Sequence, residues 1–192
     1  MRNVLRFARS QMQSYAAFLR GVNLASHRRV SSAQLREMYE AMGFEDVGTF
    51  RSSGNVVFSG PDAPLPKLTA RVEQGMAEAL GWHVEVFLRT AEEVRAIAAF
   101  EPFEQKRVAA SNGKLQVSLC LEKPSAQARK QVLALATDED PLVFGERELY
   151  WLPSGGQLES ELDLKTIEKL IGPTTRRTMG TIEQLAAKFF AD

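Results

Sequence analysis

This sequence has little of what reactive sites are usually built from. There is a single cysteine, Cys120, and there are only two histidines, His27 and His83. One cysteine cannot form an internal disulfide, and two distant histidines lack the spacing of a zinc site. Cys120 lies in the alternating run KLQVSLCLEK, where nothing nearby would lower its pKa, so a buried structural thiol is expected. No G-x-S-x-G elbow occurs, which removes the usual signature of a serine hydrolase. Walker and Rossmann glycine fingerprints are missing too, so no cofactor is indicated. No apolar stretch approaches the ~18–20 residues that cross a bilayer. Excess charge of one sign is also lacking. The 24 basic and 24 acidic residues cancel, which disfavours an extended nucleic-acid surface.

What is present is the composition of a globular protein. The chain has 192 residues, 44% of them hydrophobic and 25% charged, enough for one large or two small domains. Charge is segregated. Residues 1–60 hold eight arginines against four acids, and residues 138–163 hold eight acids against one arginine. Two solvated faces, or a homo-oligomer joined through them, would account for this. Cysteine usage fits a reducing cytoplasm. The leader MRNVLRFARSQMQS has three arginines and no acid, and residues 1–14 are expected to be a disordered or frayed extension.

The pattern of elements repeats. YAAFLRGV (15–22) reads as a strand, and Ser31 with Gln34 opens a helix carrying Leu35, Met38, Tyr39 and Met42, stopped by Gly43. VGTFRSSGNVVFSG (47–60) reads as a hairpin. Leu65, Leu68, Val72 and Met76 mark a helix closed by Gly81. HVEVFL (83–88) is a strand, and Thr90 with Glu93 starts another helix. The second half follows suit: a strand through Leu115, Val117 and Leu119, a helix after Pro124 and Ser125, a hairpin at 141–153, and a helix stopped by Gly172. TTRRT then precedes a last helix carrying Ile182, Leu185 and Phe189. RTAEEVRAIAA (89–99) and RTMGTIEQLAA (177–187) align without gaps, with four identities. The expected fold is therefore α+β: two ferredoxin-like β-α-β-β-α-β halves related by internal duplication, each followed by an extra helix. The halves are expected at 15–100 and 114–192, with a connection at 101–113.

Two segments invite a binding role. In FLRGVNL (18–24), Arg20 and Asn23 stand at a strand end leading into a helix, where amides and a guanidinium can hold an anion. In RSSGN (51–55), Arg51, Ser53 and Asn55 would lie close by if the first and third strands pair antiparallel. Arg177 could contribute from the second half as the counterpart of Arg89. The plain alternative is turn chemistry: Gly21 permits a turn, Asn23 bonds its own backbone, Asn55 tolerates unusual backbone angles, and Arg20 pairs with an acid. Phe50 and Phe58 could stack bases, but the RNP1 pattern of RNA readers is absent. Asp138, Glu139 and Asp140 are expected to be solvated, and Trp82 and Trp151 to be core or interface residues.

YAAFLRGVNL, the helix ending EAMGF, and TFRSSGNVVF closely resemble the opening of the bacterial family named domain of unknown function 1697. ELYWLP and TIEQL are similar to its later segments. The resemblance implies a cytoplasmic bacterial protein with the duplicated fold and brings no reaction with it. Two stretches depart from the family pattern. ASHRR (25–29) stands where a glycine- and lysine-rich loop is usual, and Arg177–Thr181 lacks the family's asparagine and tryptophan. The sequence thus leads to a small phosphate- or carboxylate-bearing ligand near the end of the first strand. An interaction or oligomerisation module is the alternative, and whether the chain is an enzyme is left open.

Overall fold

The structure, a computed structural model, describes residues 12–22, 29–52, 54–156 and 159–191. Its contacts divide the chain into two compact units, one up to Glu93 and one from Val94. Both are α+β. Eight strands form two four-stranded antiparallel sheets, accompanied by seven helices among the described residues, as two similar halves would require.

The first unit holds β1 (Met12–Arg20), α1 (Ser32–Ala41), β2 (Glu45–Thr49), β3 (Asn55–Pro61), α2 (Leu65–Leu80) and β4 (Glu85–Thr90). Its sheet order is β2-β3-β1-β4. Local chemistry sets the boundaries. Ser31 Oγ accepts from the Gln34 amide while the Gln34 side chain accepts from the Ser31 amide, a reciprocal cap that fixes where α1 begins. Gly81, at φ +77°, ends α2 in the left-handed region that only glycine enters cheaply. One face of the sheet is covered by Leu35 and Tyr39 of α1 and by Leu68, Val72 and Met76 of α2, packed on Tyr15, Val56, Phe58 and Val86. The other face, with Ala16, Phe18, Val57 and Phe87, is equally buried. β1 starts at Met12, ahead of the expected Tyr15. Met12, Gln13 and Ser14 pair with Pro61, Gly60 and Ser59, so those three residues are part of the sheet and not of a frayed extension.

α3 (Ala91–Ala99) runs across the division between the units, and α4 (Gln105–Ala110) lies within the stretch expected to connect the halves. The second unit continues with β5 (Gln116–Cys120), α5 (Ala126–Leu133), β6 (Leu142–Phe144), β7 (Glu148–Trp151), α6 (Leu164–Ile171), β8 (Thr174–Thr178) and α7 (Met179–Phe189). Its sheet order, β6-β7-β5-β8, places each strand as its counterpart is placed in the first. Val132, Ile167, Leu142, Leu149 and Trp151 form the core beneath α5 and α6. Cys120 is buried, as its alternating run implies.

Candidate functional site

Sheet register brings the two singled-out segments together. β1 and β3 are antiparallel neighbours, Phe18 lies opposite Asn55, and the Leu19 amide donates to the Gly54 carbonyl at 2.8 Å. The end of FLRG therefore abuts the turn RSSGN. Gly54, at φ +72°, is required there, because an added Cβ would overlap Val22 and crowd Leu19. Arg20 is opposite Glu85 on β4, with Nε 3.5 Å from Oε2 and both side chains about one-third exposed. It does meet an acid, but at the rim of the sheet and not in the core.

The other candidates divide by environment. Arg51 is exposed and adopts φ +55°, a left-handed conformation that costs a residue with a Cβ roughly 1–2 kcal/mol. Its guanidinium lies 5.5 Å from the centre of the Phe50 ring. Asn55 is only 1% exposed; its Nδ2 donates to the Phe50 carbonyl at 2.9 Å, and the Phe50 amide donates back to the Asn55 carbonyl at 3.0 Å. Asn55 thus closes the turn that holds Arg51. Asn23, Ser53 and His27 lie outside the described residues.

Arg177 belongs to the second unit, on β8 opposite Val117. Its Nη1 donates to Thr175 Oγ1 at 3.0 Å and to the Arg176 carbonyl at 2.8 Å. Burial pushes its pKa down to about 10, so the side chain is still a cation at neutral pH. Arg89 in the first unit is built the same way: buried, on the edge strand β4, with Nη1 donating to the preceding carbonyl of Leu88 at 3.0 Å.

Sequence reasoning missed other features of the second unit. A cavity of about 610 Å³ is lined by Leu135, Leu162 and Pro153 and rimmed by Glu139, Glu159, Glu161 and Asp163. The acid-rich run 138–163 was its signal, though the fold was needed to gather it. Asp140, expected in water, is only 6% exposed. It accepts the Trp151 Nε1 hydrogen at 2.7 Å, because a buried indole N–H needs an acceptor. Phe58, offered as a base-stacking surface, is in the core against Tyr39 and Phe44 and cannot stack on a ligand. Among the described residues, no group of three or more His, Cys, Asp or Glu could hold a metal ion. No described helix is long and apolar enough to cross a membrane.

The family described as "Protein of unknown function (DUF1697)" matches residues 12–150. No functionally curated protein matches the chain. Among solved structures, the conserved bacterial protein SP0830 from Streptococcus pneumoniae is similar, with a TM-score of 0.70 and 20% identity. The match covers 92% of this chain and 98% of that one. At that identity the likeness speaks to the fold alone.

Proposed function

The chain belongs to the DUF1697 family, and from that premise we propose that it binds a small anionic ligand, bearing a phosphate or carboxylate, where β1 ends beside the β2–β3 turn. The observation that carries this reading is Arg51. An arginine is held at φ +55° by a turn that Asn55 and Gly54 lock from both sides, and this turn abuts the strand that ends in Arg20. Backbone strain of this kind persists where the surroundings enforce it, and it clusters at ligand clamps. Two guanidiniums at one sheet end can meet an anion in bidentate fashion. Asn23 and Ser53, from the same two segments, complete the proposed ligand set.

The wider reading is of two ferredoxin-like halves, 15–100 and 114–192, joined by 101–113 and descended from one duplicated unit, in a bacterial cytoplasmic protein. Matching strand orders and the Arg-Thr openings of α3 and α7 support it. No reaction is assigned.

The test is a thermal-shift panel of nucleotides, sugar phosphates and carboxylates. A ligand at a hundred times its Kd should add about 2.7 kcal/mol of stability. That gain should fall in Arg51→Ala and Arg20→Ala. Glu85→Gln, which removes the acid partner but keeps Arg20, should bind at least as well as the parent. Equal stabilisation of the parent and both arginine variants by every hit would place binding elsewhere.

A further inference from the structure

α5 presents a face that its own unit does not cover. The helix packs on α6 and β6 through Val132, its buried residue. On the outer side Ala126, Lys130 and Leu133 recur at i, i+4 and i+7 and so share a face. Leu133 is 42% exposed. With Lys123, Pro124 and Arg129 these residues line an open groove of about 470 Å³. Its lining is half apolar and half cationic. Two of the cations are already engaged: Lys123 with Glu146 at 2.6 Å, and Arg129 with the Gly145 carbonyl and the Phe144 ring. Lys130 makes no ion pair or hydrogen bond with its side chain among the described residues.

Beyond the C-terminal end of the same helix lies the opposite arrangement. Leu135 and Leu162 wall the acid-rimmed cavity, and among the described residues the carboxylates of Glu139 and Glu161 likewise engage no cation and accept no hydrogen bond. One short helix, about 12 Å long at 1.5 Å per residue, is therefore flanked by a cationic apolar groove and an anionic apolar one.

The geometry points to a second copy of this chain as the occupant: a symmetric dimer in which α5 of one copy lies antiparallel to α5 of the other. A two-fold axis passing close to Leu133, at the C-terminal end of the helix, sets Lys130 of each copy towards the Glu139–Glu161 rim of its partner, so the same attraction is made twice and the interface closes on itself. Leu133 is shielded from water in the same step. Identical chains usually repel through like net charge, but this one has a net charge of zero, so local complementarity decides. A contact built on a two-turn helix is at the small end of specific interfaces, and the dimer is accordingly weak and salt-sensitive. This inference does not depend on a ligand at the end of β1.

Sedimentation of the full chain at high protein concentration tests it, in about 50 mM and about 500 mM salt, where the screening length falls from roughly 14 Å to roughly 4 Å. A dimer at low salt that dissociates at high salt is expected. Lys130→Glu alone, and Glu139→Lys with Glu161→Lys alone, should each be monomeric at low salt. Mixed one to one, they should form a heterodimer, since one set of contacts is then restored with reversed sign and the other is the native one. Each variant should keep the parent's thermal unfolding transition, and Lys130→Gln is the milder substitute where it does not. A monomer at low salt would overturn the inference. So would a dimer indifferent to salt, species larger than a dimer, or variants that fail to pair on mixing.

Discussion

The two units share a strand order and differ in what fills them. In the first, an aromatic group dominates: Phe58 has ring centres of Phe44, Tyr39 and Tyr15 at 4.4, 5.2 and 5.5 Å. Its central strand β1 runs for nine residues and sends apolar side chains to both faces. In the second, the central strand β5 has five residues, and toward α5 and α6 it presents Gln116, Ser118 and Cys120 opposite Trp151, Leu149 and the β8 residues. Polar groups buried this way need partners. Gln116 Nε2 donates to the Lys114 carbonyl at 2.6 Å, and Trp151 donates to Asp140 at 2.7 Å. One arrangement of strands thus surrounds an aromatic core in one unit and, in the other, an apolar core that also takes in buried polar groups with hydrogen-bond partners. Strand order does not dictate which kind of core is used.

Substitutions can sharpen or break that contrast. The largest effect is expected for Phe58→Ala, which opens a cavity among three rings and should cost about 3–5 kcal/mol in chemical denaturation. A loss below roughly 1 kcal/mol would mean that the aromatic group is not what holds the first unit. Asp140→Ala comes next. It strands the buried Trp151 N–H and should cost about 1–3 kcal/mol, while the double variant with Trp151→Phe should recover part of that loss. No recovery would show that the hydrogen bond is incidental to the second core.

The smallest and most discriminating pair tests the two helix starts that follow the buried arginines. Thr90 accepts from the Glu93 amide at 3.1 Å and its own amide donates to the Glu93 carboxylate at 2.9 Å. Thr178, at the matching point before α7, makes no such cap and meets the Thr181 hydroxyl instead. Thr90→Ala should therefore cost about 1 kcal/mol and Thr178→Ala measurably less. Equal losses would erase this difference between the two starts.

Several of these features can be read directly from the chain. The Ser31–Gln34 and Thr90–Glu93 pairs announce their helices, and Gly43, Gly81 and Gly172 all have positive φ where helices stop. These signals act within a few residues, so sequence spacing is enough. β8 is harder, because TTRRT has no apolar alternation and lies in a sheet by virtue of its pairing with β5. Only its alignment with the end of β4 hints at that. The burial of Asp140 was illegible for a similar reason: an aspartate in a DED run looks solvated until a tryptophan eleven residues away turns its N–H toward it. The contact between FLRG and RSSGN was legible through strand pairing, whereas the left-handed backbone of Arg51 was not.

By itself, the sequence determined the kinds of element, most of their ends and the repeated order, because caps, glycines and apolar periodicity are local physics. The tertiary structure decided which polar side chains are buried, which strands begin early, and which charges gather into a rim or a groove. Those outcomes depend on register and on side chains from distant segments arriving together, and no single stretch of chain encodes them.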